Sequence, residues 1–186
     1  MKTIKIISLS LLSVIGFTSC SSDDDNNDDD IPVVTTYSTS FGELNNSAVS
    51  GTATISIEDN KMTVEINASG LVADQAHPQH IHGKDANNED ATCPPASADT
   101  DGDGIITIPE GAPFYGGVLL PLDEFPTADA TGNINYTKTF TLGEGDMPTL
   151  EALLPLENRA IVLHGLMQDD TYVATIPVAC AQIVKD

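Results

Sequence analysis

From Ser50 to Gly70 the chain reads SGTATISIEDNKMTVEINASG, and apolar side chains recur at every second residue. Ala53, Ile55 and Ile57 share one face of an extended strand, and Met62, Val64 and Ile66 share a face after the Asp59–Asn60 pair. Successive side chains of a strand point to opposite sides, so this spacing suits a half-buried β-hairpin. NINYTKTFTL repeats the pattern, with Ile134, Tyr136, Lys138 and Phe140 on one side and threonines on the other. RAIVLHGL and TYVATIPVACAQIV are rich in β-branched residues and read as more deeply buried strands. The one helical candidate is MPTLEALLP, one or two turns beginning near Pro148. Residues 83–118, rich in Pro, Gly, Asp and Asn, are expected to form a long irregular loop, the kind that usually carries function or a bound ion. Short strands, frequent turn signals and almost no helix predict an all-β domain, a sandwich or a Greek-key barrel.

The N-terminus carries an address. In MKTIKIISLSLLSVIGFTSCSS, Lys2 and Lys5 precede an apolar run from Ile6 to Phe17 and the small-residue end FTSC. This is a secretory signal over residues 1–19, and a cysteine placed directly after small residues marks a bacterial lipoprotein with Cys20 acylated. SSDDDNNDDD follows, six aspartates with no apolar residue, so residues 20–36 are expected to be a disordered tether. Residues 37–186 are long enough for one sizeable core. An acidic run after the lipidated cysteine resembles the export signal of Bacteroidetes surface lipoproteins. That likeness implies an outer-membrane, lipid-anchored protein exposed at the cell surface.

Loss of Lys2 and Lys5 with the signal takes the formal charge from −21 to −23. Phosphate recognition needs a Lys/Arg footprint, so nucleic acid is excluded as a partner, and membrane contact is left to the lipid anchor. Of three cysteines, lipidation of one leaves Cys93 and Cys180. In an oxidising compartment an even pair is expected to bond, the alternative being two buried free thiols.

HPQHIHGKD, residues 77–85, holds three of the four histidines, and His164 lies in NRAIVLHGL. On a strand, residues two apart face the same way, so His80 and His82 can reach one ion. His164 could join them from a neighbouring strand, and three neutral imidazoles suit copper or zinc. His77 is a candidate fourth ligand or a group behind the ligands. The plainer reading is a polar cluster on an ordinary strand.

Residues 99–110, DTDGDGIITIPE, fit the calcium-loop pattern D-x-[DN]-x-[DN]-G-x₅-E. Asp99, Asp101 and Asp103 would supply carboxylates, Gly104 the sharp turn and Ile105 its carbonyl. Thr107 would bind directly or through water, and Glu110 would close the site. No helix is evident on either side, and the alternative is an Asp/Gly-rich turn that binds nothing.

QHIHGKD, NRAIVLHGL and PVACAQI together resemble copper/zinc superoxide dismutase, and DMPTLEALLPLENRA resembles the segment before that family's last copper histidine. Residues 49–83 are similar to the CHRD domain, which shares the HIHG ending. The two likenesses span most of residues 49–184. They imply a Greek-key β-sandwich, copper on His80, His82 and His164, and a Cys93–Cys180 bridge. The departures are equally specific. No histidine stands between His82 and His164, so the dismutase zinc site and bridging imidazole have no counterpart. ATIPVAC contains no basic residue where dismutases place an arginine, and Arg159 is the chain's one arginine. So acidic a domain also repels an anionic substrate. The first expectation is therefore a surface-anchored copper-binding protein with a calcium-stabilised loop. A calcium-binding CHRD-type adhesion or ligand-binding module without a transition metal comes second, and a divergent copper-only superoxide dismutase third.

Overall fold

Apolar alternation in the sequence becomes an antiparallel all-β domain in the computed structural model, which describes residues 33–84 and 89–186. The signal peptide, Cys20 and most of the expected tether lie outside these residues. The described residues belong to one unit, residues 32–186. Their strands are β1 (Val34–Glu43), β2 (Ser50–Glu58), β3 (Lys61–Ser69), β4 (Gln79–Gly83), β5 (Gly117–Pro121), β6 (Ile134–Thr141), β7 (Ala160–Gln168), β8 (Thr171–Gln182) and the short β9 (Val184–Lys185). Hydrogen bonding orders them β5-β4-β7-β8-β1-β2-β3-β6, with β9 beside β1.

β1 joins the two halves of this sheet. Val34–Phe41 pairs with β2, whereas Gly42 and Glu43 pair with Cys180 and Ala179 of β8. The sheet curls about that strand, and its inner faces meet in one core. Ile55, Val64, Ile66, Tyr136 and Phe140 come from one half, and Ile81, Ile161, Leu163 and Val178 from the other. Met62, Val64 and Ile66 are fully buried on alternate positions of β3, as the spacing predicts. Burying a side chain of this size contributes about 1.5–3 kcal/mol, so this alternation sets which face of each strand turns inward. Glu58 pairs with Lys61, leaving Asp59 and Asn60 as the hairpin turn, with Asp59 at φ 55°. Lys138, on the end strand β6, lays its ammonium over the Phe140 ring at 5.4 Å. An inward-turned charge of this kind blunts an open sheet edge.

Two expectations need correction. Val34, Thr35 and Thr36, inside the expected tether, are already strand, because they pair with Glu58, Ile57 and Ser56 of β2. Residues 83–118 are also not wholly irregular, since they contain a 3-10 turn at Ala96–Ala98 and a helix, α1 (Ile108–Tyr115). The prolines at 109 and 113 disguise α1. Pro109 falls in the first turn, where its missing N–H costs nothing, and Thr107 with Glu110 forms a capping box. Helix α2 (Leu150–Leu153) lies where expected, and its cap residue Thr149 accepts from the Ala152 N–H.

The segment between β4 and β5 covers the outer face of the β4–β7–β8 half. Ala91, Ala112 and Tyr115 pack there with Ala160, Val162 and Cys180 in a second, smaller cluster. Cys93 is bonded to Cys180, 87 residues away (Sγ–Sγ 1.99 Å), and ties this cover to β8.

Candidate metal centre

The face of β4 opposite the main core carries the histidines. Ile81 points into the core, so His80 and His82 point outward, beside Val162 and Ala160 of β7. His164 lies two residues beyond Val162 on β7, where the pairing with β8 is irregular on both sides of it. The cover formed by the long loop then buries the group. His82 is 4% exposed and His164 3%, and His80 is half-buried. One nitrogen from each of the three rings lies within 4.8 Å of the other two, a group that could hold a metal ion. Ring centroids are 5.2 Å apart for His80–His164, 5.5 Å for His80–His82 and 6.0 Å for His82–His164.

Backbone carbonyls set the tautomers. His82 Nδ1 donates to the Gly116 carbonyl at 3.1 Å, and His164 Nδ1 donates to the Thr175 carbonyl at 3.0 Å. A neutral ring protonated at Nδ1 carries its lone pair on Nε2. The Nε2 atoms of His82 and His164, together with His80 Nδ1, are buried and meet no hydrogen-bond partner. An orphaned buried polar atom costs about 1–3 kcal/mol, so three of them converging is an expensive arrangement that a cation resolves. Burial pushes both His82 and His164 down to about 4, against the hydrogen bonds their rings donate to the Gly116 and Thr175 carbonyls, which favour the charged rings. Burial lowers His80 too, opposed by the charge of Asp123. The rings are thus neutral near pH 7, the form in which imidazole binds metals.

Tyr115 closes one side, its ring 4.7 Å from that of His82, and burial raises its hydroxyl to about 12. Phe125 lies edge-on to His80 at 5.5 Å. Gly116 has φ 81°, and a Cβ there would overlap the Gly83 carbonyl, so a glycine is required for α1 to end against β4 and present its carbonyl to His82.

His77 is not brought into the group. Its Nδ1 lies 2.8 Å from the His164 carbonyl and its Nε2 3.0 Å from that of Val72, which places it behind His164. Arg159 is buried and donates from Nε to the Leu153 carbonyl at 2.9 Å and from Nη2 to that of Leu154, so it supports the end of α2.

The acidic loop forms a second group. Carboxylate oxygens of Asp99, Asp101 and Asp103 lie within 4.8 Å of one another. Asp99 accepts from the Gly102 and Gly104 N–H groups, and Asp103 from that of Ile105. Glu110 is not in this group. Its Oε1 accepts from the backbone and hydroxyl of Thr100, and its Oε2 from those of Thr107, which together hold its carboxyl down at about 2. The motif's twelfth residue therefore serves α1's cap. A helix, α1, does begin at the end of this loop, where none was expected.

Tyr115, Phe125 and the carbonyls of Gly116 and Thr175 escaped the sequence reading. The T-x-x-E signature at Thr107–Glu110 could have revealed α1 and hence Tyr115, whereas a carbonyl leaves no mark in residue type. No family model matches the chain, and no curated protein matches it significantly.

Proposed function

We propose that the domain binds copper through His80, His82 and His164, as the metal-holding part of a lipid-anchored cell-surface protein. The observation that carries this reading is the set of three buried, partnerless nitrogens, two of them, on His82 and His164, in tautomers that leave the lone pair free for a metal. Three neutral imidazoles with no carboxylate or thiolate suit a borderline metal, and copper stands highest among the divalent first-row ions. Half-buried His80 leaves a side from which metal could enter or be passed on. Sequestration or relay of copper fits better than rapid superoxide turnover. The chain's one arginine is bound at α2, and the net charge opposes an anionic substrate. Binding of Ca²⁺ by the Asp99, Asp101 and Asp103 group would order the loop that leads into α1.

Elemental analysis of the purified protein, followed by Cu²⁺ titration of the wild type and of His80→Ala, His82→Ala and His164→Ala, tests the copper reading. Each substitution should weaken binding, because two imidazoles make a poor site. Undiminished affinity in His164→Ala would show that any copper sits on HPQHIHG as a local peptide. A calcium-binding CHRD-type module without a transition metal is the second reading, favoured by the aspartate group. Calcium without copper in the purified protein would select it.

A further inference from the structure

The strand ladder lacks a donor beside the metal centre. β4 and β7 run antiparallel with Gln79 opposite Leu163, so the next pair along is Pro78 and His164. The His164 N–H donates to the Pro78 carbonyl at 2.9 Å, one half of the exchange that an antiparallel pair makes at such a position. The other half needs an N–H on residue 78, and proline has none. Opposite His164 on β8 stands Pro177, which has none either. The His77 ring fills this place, with Nδ1 2.8 Å from the His164 carbonyl.

The surroundings hold His77 to that task. It is fully buried, its own N–H donates to the Pro126 carbonyl at 2.9 Å, and its Nε2 faces the Val72 carbonyl. Tyr172 stands edge-on to the ring at 5.7 Å and donates its hydroxyl to the Ala76 carbonyl. Gly165, at φ 114°, leaves room for both rings. A Cβ there would overlap the Tyr172 hydroxyl and come 2.7 Å from His77 Nδ1.

We propose that His77 is the positioning residue of the three-histidine centre: its Nδ1–H replaces the ladder donor missing at Pro78 and fixes the irregular His164 backbone. His164 Nε2 is thereby held toward His80 and His82. The role rests on the metal-binding reading, since binding centres need their ligands held within about 0.5 Å.

The test compares the full chain with His77→Phe, which fills the space without a donor, and His77→Asn, whose side-chain amide sits near the position of Nδ1. Amide hydrogen exchange is read in chelator, and Cu²⁺ affinity and the copper spectrum are read separately. His77→Phe should lose protection at the His164 amide, change the copper spectrum and weaken Cu²⁺ binding about 10–100-fold, the usual effect of an outer partner. His77→Asn should restore all three. Unchanged His164 protection in His77→Phe overturns the strut while leaving the copper reading intact. Unchanged affinity despite lost protection overturns the positioning role, and so does an Asn variant no better than Phe. A wild type that binds no copper overturns the metal reading and the positioning role with it. Should His77→Phe fail to fold, His77→Gln replaces it, because its longer amide serves the Val72 side and should not restore affinity.

Discussion

Acidifying the metal-free protein from pH 7 to 4.5 should destabilise it through His82 and His164. In the fold both rings sit at about 4, and burial is the largest cause. In an unfolded chain a histidine titrates near 6.5. Between those limits the unfolded state binds more protons, so stability is complete above about pH 6.5 and falls as pH drops toward 4. At about 1.36 kcal/mol per pH unit, the difference amounts to about 3 kcal/mol for each ring. The two together reach about 6 kcal/mol, comparable to the whole stability of many domains, which is about 5–15 kcal/mol. Glu110 and Asp129, both held at about 2 by hydrogen bonds, act in a lower window, since their contributions fade only as pH falls below their ordinary values of 4.5 and 3.8. Urea unfolding in chelator at pH 7, 5.5 and 4.5 separates the two windows. The wild type should lose stability steeply between pH 6.5 and 4.5, and the His82→Gln/His164→Gln double variant should not. A wild type of constant stability across that range, or a variant with the same slope, would refute the claim that these rings are buried neutral.

Three further outcomes are expected. Calcium should raise the melting temperature, and Asp99→Ala combined with Asp101→Ala should abolish the shift; identical wild-type melting curves in calcium and in chelator would exclude the loop as a site. Reducing the Cys93–Cys180 bond should destabilise the domain by on the order of 4 kcal/mol, because a closed loop of this length restricts the unfolded chain. An unchanged urea midpoint after complete reduction would count against that account. Cys20→Ala should move the protein from the membrane fraction to the soluble one, and a variant that still pellets with membranes would show that the anchor lies elsewhere.

Local pattern determined much of this protein. Period-two burial at Ala53–Ile57 and Met62–Ile66 was legible because a strand's side chains alternate whatever lies beyond it. His80 and His82 shared a face for the same reason, and cysteine parity allowed one bridge within the domain. The helix α1 was hidden because its two prolines and a glycine obscure the helical signal, while its stability comes from a capping box and from burying Tyr115 against β7 and β8. Which His80 and His82 nitrogens stay partnerless, and whether His164 reaches them, depended on strand pairing across some eighty residues. Tertiary structure alone decided that His77 stands behind His164, because the vacancy it fills arises only when Pro78 is laid opposite His164. Residue types supply the donors, but the carbonyls of Gly116 and Thr175 that set their tautomers are backbone atoms. Every residue type carries the same carbonyl, so only the fold can say where one will be.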